Sequence, residues 1–126
     1  MYNYNKQLDM KFEEAVEKTR EELKKEGFGV LTEIDVKATL KKKINVDFDK
    51  YIILGACNPS FAHKALLAEK EIGLMLPCNV IIYEDKEKVT VSAILPTTAM
   101  GMVDNPALEE IAEEVESKLK KVIDNV

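Results

Sequence analysis

Residues 51–57, with the sequence YIILGAC, restrict the fold of this chain more than any other segment. All seven residues are apolar or small. The charged Lys50 precedes them, and the pair Asn58-Pro59 follows. A short, uninterrupted apolar run of this kind is typical of an interior strand that is covered on both faces. The sequence therefore predicts a central strand at this position.

Four further segments predict strands beside the central one. Aromatic and polar residues alternate over residues 2–8, and a similar alternation runs over residues 28–34. Residues 77–83 are strongly apolar, but the proline at their start predicts either a broken strand or two pieces. The charged segment 84–88 and the alternating residues 89–93 come next, which predicts a hairpin.

Helical periodicity fills the intervals between these strands. Predicted helices cover residues 10–26, 36–44, 59–68 and the segment from 106 onward. Asparagine and aspartate accept hydrogen bonds from the free N–H groups of a first helical turn, and proline is tolerated there. The predicted N-caps are Asp9, Asp35, Asn58 and Asn105.

The length of 126 residues, with 46% hydrophobic and 33% charged residues, suits one ordinary globular domain over residues 1–126. The element order is β-α-β-α-β-α-β-β-α, without a repeat or a flexible linker. This order predicts an α+β fold: a single mixed, largely antiparallel sheet of five or six strands, with helices packed mainly on one face.

Charge and terminal sequence exclude several classes of protein. A net charge of −5 argues against nucleic acid as the main partner, because phosphate binding requires a basic surface. The first residues show no charged leader followed by an apolar run, so neither export nor membrane insertion is expected. We expect a cytoplasmic protein, whose two cysteines are then reduced.

Four separated motifs resemble one family over nearly the whole chain. They are residues 27–37 (GFGVLTEIDVK), 51–59 (YIILGACNP), 63–66 (HKAL) and 76–80 (LPCNV). In this order they are similar to the family known as domain of unknown function 302. The resemblance implies a small prokaryotic α+β domain that usually stands alone and often forms dimers. It implies no established activity.

Cys57, His63 and Cys78 are the residues most suited to chemistry. Cys57 ends a predicted strand just before a helix N-terminus, where the dipole favours a thiolate. With His63 as base and Cys78 as a resolving partner, Cys57 would serve a thiol-based enzyme or redox protein. If the two strands are neighbours, the three side chains would instead form an open zinc or copper site. The simpler alternative is two reduced core thiols and a helix histidine bonded to a local carbonyl.

Other residues predict ligand binding near the two cysteines. Asn58 and Asn79 each stand beside a cysteine. Met100 belongs to the irregular apolar segment 95–103, which is typical of a cover over a core and would alternatively form a dimer seam or a lid over a small-ligand groove. Lys37 and Lys41 share one helix face and would hold a small anion, although most such faces are simply solvated. No complete catalytic motif is present, so the question of enzymatic activity and cofactor stays open. The leading hypothesis is a small homodimeric binding module with its pocket near residues 57–59 and 77–79.

Overall fold

The computed structural model describes the whole chain, residues 1–126, as strands alternating with helices. The strands are β1 Asn3–Leu8, β2 Gly29–Asp35, β3 Tyr51–Cys57, β4 Cys78–Asp85 and β5 Lys88–Ile94. The helices are α1 Phe12–Lys25, α2 Val36–Ile44, α3 Pro59–Ala68, α4 Pro96–Ala99 and α5 Pro106–Asn125, and a 3₁₀ helix spans Lys70–Met75. The predicted α+β class and element order are confirmed.

The five strands form one sheet in the order β1-β5-β4-β3-β2, and all neighbours are antiparallel. The expected mixed sheet is thus antiparallel throughout. β4 occupies the centre, and β1 closes the far edge by pairing with β5. Lys86 and Glu87 connect β4 to β5 with φ angles of 50° and 69°, the left-handed backbone that a tight two-residue hairpin requires.

The main core lies between one face of the sheet, here called the inner face, and helices α1 and α5. Alternate residues of the three middle strands point into this layer and are buried: Ile52, Leu54, Ala56, Cys78, Val80, Ile82, Val89, Val91 and Ala93. Leu23 of α1 and Leu119 of α5 pack against them and are almost fully buried. The apolar stripes of the two amphipathic helices therefore determine which side of the sheet is covered.

The opposite face of the sheet departs from the sequence prediction. The apolar run of β3 predicts burial on both faces, yet Tyr51 and Ile53 on the second face are only partly buried. The reason is that α1 and α5 both cover the inner face, which leaves the second face without a comparable layer. We call this second face the outer face.

Two of the predicted helix caps are confirmed and two are not. The side chains of Asp35 and Asn105 accept hydrogen bonds from the first turns of α2 and α5, at 2.9 and 3.1 Å. Asp9 does not cap α1, because the helix begins two residues later than predicted and its N-cap is Lys11. Asn58 precedes α3 but makes no capping bond with its side chain.

Helix α2 is a surface element, as its lysine-rich side predicts. None of its residues is buried. Lys37 donates a hydrogen bond to the carbonyl of Phe48 (2.9 Å), and Lys41 forms an ion pair with Asp47 (3.1 Å). Both lysines therefore hold the segment that connects α2 to β3.

Candidate functional site

The two cysteines lie at the same end of neighbouring strands. Cys57 is the last residue of β3 and Cys78 is the first residue of β4, and Ala56 pairs directly with Cys78. Side chains alternate along a strand, so Ala56 and Cys78 share the inner face. Cys78 is buried and Cys57 is partly exposed. The register thus brings the two cysteines close together, at the border of one apolar cavity.

Gly55 allows the chain to enter β4 at this place. A Cβ atom at Gly55 would overlap Oγ1 of Thr32 and would lie 2.8 Å from Cγ of Pro77. The ring of Pro77 and the side chain of Thr32 therefore occupy the space that any larger residue at position 55 would need. This close packing positions the segment that leads into Cys78.

A small apolar cavity of about 30 Å³ lies behind the two cysteines, between the strand ends and helices α3 and α5. Twelve of its fifteen lining residues are hydrophobic. Four residues that the sequence predicts for the pocket border this cavity: Cys57, Asn58, Cys78 and Met100.

A larger groove of about 300 Å³ opens on the other side of Cys78 and Met100. It runs between the end of the 3₁₀ helix and α4, and Asn79 lies at its border. The groove and the cavity share five residues: Leu76, Pro77, Cys78, Pro96 and Met100. These shared residues form a single apolar wall between two adjoining spaces.

Burial controls the chemistry of the Cys78 thiol. Its surroundings are apolar, and burial together with the neighbouring Cys57 raises the pKa of Cys78 to about 11. The thiol is therefore protonated near neutral pH. A protonated thiol is a poor nucleophile and contributes to the wall as a small apolar group.

Asn58 has a structural partner that the sequence does not reveal. Its Nδ2 donates a hydrogen bond to the carbonyl of Glu26 at 3.1 Å and lies against Gly27, whose φ is 85°. The side chain therefore stabilises the turn between α1 and β2 instead of capping α3. This bond links the left-handed turn at Gly27 to Asn58 at the border of the cavity.

His63 lies outside the cavity. Phe61, Ala62 and Ala65 of α3 border it, and the 100° rotation per residue of a helix leaves His63 and Lys64 on the exposed side. The predicted Cys57–His63 pair is therefore not formed around the cavity. In addition, no three histidine, cysteine, aspartate or glutamate side chains lie together as a metal ion would require. The structure does not assemble the predicted zinc or copper site from Cys57, His63 and Cys78.

The predicted anion site at Lys37 and Lys41 is distant in the fold from this wall. Neither lysine borders the cavity or the groove. Each ammonium group makes one bond to the α2–β3 segment and has three N–H donors, so these bonds leave donors for an anion. The anion site at these two lysines stays a prediction.

Several lining residues have no counterpart in the sequence prediction. Leu76 and Pro96 belong to the shared wall, and Ala99 borders the groove. The signal for Pro96 and Ala99 is present in the sequence, since the apolar segment 95–103 fits neither a helix nor a strand period. That pattern indicates a cover over a core or a groove, but it does not say which residues face inward.

None of the helices combines the length and the hydrophobicity needed to span a membrane. The fold is an α+β domain with one antiparallel five-stranded sheet and an apolar groove beside the ends of its central strands. Comparison with known proteins identifies the family. Residues 4–126 match the family described as Domain of unknown function DUF302, and the chain belongs to that family.

A solved relative has the same fold. The crystal structure of an uncharacterised conserved DUF302 protein from Bacillus stearothermophilus is 34% identical in sequence, with a TM-score of 0.93. The similarity covers 99% of this chain and 98% of that one. In a comparison with curated proteins, nothing matches this chain. The resemblance noted in the sequence is confirmed, and it brings no activity with it.

Proposed function

We propose that this protein is a homodimeric binding module that holds a small, largely apolar ligand in the groove beside Cys78 and Met100. The observation that carries the proposal is the shared wall. The groove, of about 300 Å³, and the smaller cavity adjoin across the same two sulfur-containing residues. Small-molecule sites are typically apolar and begin at about 300 Å³.

The composition of the groove supports binding and selects the class of ligand. Seven of its ten lining residues are hydrophobic, and Met100 is an adaptable side chain that fills irregular spaces. Asn79 is exposed at the border and offers an amide that donates and accepts hydrogen bonds. A ligand with an apolar tail and one uncharged polar end fits this arrangement.

The state of the thiols favours binding over thiol catalysis. A catalytic cysteine requires a lowered pKa and a base within hydrogen-bonding distance. His63, the base predicted for Cys57, lies on the exposed side of α3, and the pKa of Cys78, the predicted resolving partner, is raised instead. We therefore assign the thiols to the wall of a binding site.

Methyl NMR tests the ligand part of this proposal. The methyl group of Met100 lies in the wall, while Met102 is 80% exposed and serves as an internal reference. Titration with linear alcohols from butanol to octanol should shift the Met100 signal and raise the melting temperature as the chain lengthens. The Met102 signal should stay unchanged.

A groove-filling variant provides the control. Ala99→Leu adds volume at the border of the groove and should abolish the response to octanol. Ala107→Leu places the same change on an exposed position of α5 and should preserve the response. If no alcohol moves the Met100 signal of the natural protein, or if both variants respond alike, the groove is not a ligand site.

A further inference from the structure

A second groove, of about 400 Å³, lies on the outer face of the sheet near the start of β1. Its nine lining residues are three tyrosines, two asparagines, one serine and three aliphatic residues, and none of them carries a charge. Asp85 and Lys88 also belong to this face, but they pair with each other at the hairpin end, beyond Tyr83, and do not border the groove. We call this space the tyrosine groove.

The three tyrosines offer phenol groups that the fold leaves free. Tyr51 and Tyr83 stack across neighbouring strands with ring centroids 5.5 Å apart. Tyr2 is held beside β5, because its carbonyl accepts a hydrogen bond from the N–H of Leu95 at 2.9 Å. The three hydroxyl groups form no hydrogen bond within the chain, and since every buried polar side-chain atom has a partner, they reach open space. Each of them can therefore donate a hydrogen bond to a ligand.

The electrostatics of the tyrosine groove select an uncharged ligand. Burial raises the pKa of Tyr51, and the nearby phenols of Tyr83 and Tyr2 raise it further. The Tyr51 hydroxyl therefore keeps its proton at neutral pH and remains a donor. A charged group placed here would lose water without meeting an opposite charge, which is costly. An uncharged oxygen, in contrast, can accept hydrogen bonds from the phenols and from the amide of Asn79.

The tyrosine groove continues into the groove of the proposed function. Asn79 and Ile94 border both spaces. Asn79 and Tyr83 are four residues apart on β4, a separation of about 13 Å along the strand. A ligand whose apolar tail lies against Met100 can therefore place its other end between these tyrosines.

Aromatic side chains at this end of the path favour a ring as the head group of the ligand. Aromatic rings attract one another in both offset-stacked and edge-to-face arrangements, so a ring can pack on Tyr83 whichever part of that side chain it meets. Ile81 lies between Asn79 and Tyr83 on the same face of β4 and adds an apolar contact for the ring.

We propose that the ligand is an aromatic molecule that carries an uncharged oxygen, either a phenol hydroxyl or a ring carbonyl, and an apolar chain. Its ring occupies the tyrosine groove, and its chain lies against Met100. The inference rests on the proposed function, and it adds the chemical class of the head group and the residues that recognise it.

Isothermal titration calorimetry with three probes of equal tail length tests the head group. The probes are hexanol, para-hexylphenol and para-hexylbenzoate. Para-hexylphenol should bind at least about 10-fold more tightly than hexanol, because it adds an aromatic contact and a hydrogen bond. Para-hexylbenzoate should bind no more tightly than hexanol, because neither groove is lined by a positive charge. Nuclear Overhauser contacts should join the phenol ring to the methyl groups of Ile81 and the hexyl chain to that of Met100.

Variants of Tyr83 test the recognising residue. Tyr83→Leu removes the ring and its hydroxyl and should bring the affinities for para-hexylphenol and hexanol close together, with hexanol binding unchanged. If this variant does not fold, Tyr83→Phe keeps the ring and should still lower the preference for para-hexylphenol about 3-fold. Tyr4→Phe makes the same exchange on the inner side of β1, where the hydroxyl donates to Asp124, and should keep the full preference. Circular dichroism checks that the variants are folded.

The outcomes separate this inference from the proposed function. If para-hexylphenol binds no more tightly than hexanol while hexanol still shifts the Met100 signal, the aromatic head is wrong and the proposed function stands. Equal binding of para-hexylbenzoate and para-hexylphenol would overturn the uncharged class. A preference that survives the Tyr83 changes, or ring contacts away from Ile81, would overturn the tyrosine groove as its site. If neither hexanol nor para-hexylphenol binds, the proposed function fails together with this inference.

Discussion

Gly55→Ala is the substitution whose effect follows most directly from the structure. The added Cβ would overlap Oγ1 of Thr32 and would approach Cγ of Pro77 to 2.8 Å, where ordinary contacts exceed 3.4 Å. Neither neighbour is the end of a flexible side chain. Thr32 is β-branched on the adjacent strand, and the ring of Pro77 is bound to the backbone.

The expected loss of stability lies at the upper end of the range for overpacked sites, about 3 kcal/mol. The chain has 126 residues. With an unfolding entropy of about 2.1 cal/mol/K per residue, this loss lowers the melting temperature by roughly 10 °C. Thermal and urea unfolding followed by circular dichroism would measure both quantities.

A control and a partial rescue make the reasoning refutable. Gly29→Ala lies on β2 with no atom within 4 Å of the new Cβ, so it should change stability by less than about 0.5 kcal/mol. Adding Thr32→Ala to Gly55→Ala removes the most severe overlap and should recover part of the loss. If Gly55→Ala is as stable as Gly29→Ala, the close packing of Pro77 over β3 is wrong.

Three further predictions concern single side chains. Because the pKa of Cys78 is raised from 9.0 to about 11, the folded state holds the thiol proton more tightly than the unfolded state does. The free energy of unfolding should therefore fall by about 2–3 kcal/mol between pH 9 and 11. Cys78→Val should remove that fall in urea unfolding experiments. Hydrogen bonds from Lys25 and Lys18 lower the pKa of the buried Glu22 below its ordinary value of 4.5. The ionised carboxylate should therefore add its full contribution to the free energy of unfolding above pH 4.5, and this contribution should disappear as the pH falls through the lowered pKa of the folded protein. The acid-unfolding curve of Glu22→Gln should therefore be flatter, and an unchanged curve would contradict this role. Asn105→Ala removes the bond to the backbone N–H of Ala107 and should cost about 1–2 kcal/mol in urea unfolding, whereas the same change at the non-capping Asp9 should cost much less.

The candidate site was only partly predictable from the sequence. The strand-to-helix transition after Cys57 and the strand beginning near Cys78 are local patterns, and both are visible in the residue order. Their proximity depends on the register of β3 and β4, which pairs Ala56 with Cys78. That register joins residues 22 positions apart, and no local pattern specifies it.

His63 illustrates the same limit at closer range. It stands five residues after Asn58, so sequence spacing alone permits a contact with Cys57. The rotation of α3 is set by Phe61 and Ala65, which pack toward the cavity and leave His63 exposed. Helix rotation depends on which apolar stripe finds a partner, and this is a property of the packed domain.

The sequence by itself determined the elements, because hydrophobic periodicity and most of the turn signals act over a few residues. It also determined the family and the largely apolar character of the middle strands. Only the tertiary structure decided the strand order, the covered side of the sheet and the single wall that Cys78 and Met100 share. Those features arise from contacts between distant segments, where burial of one face against α1 and α5 selects one arrangement among several that the local patterns allow.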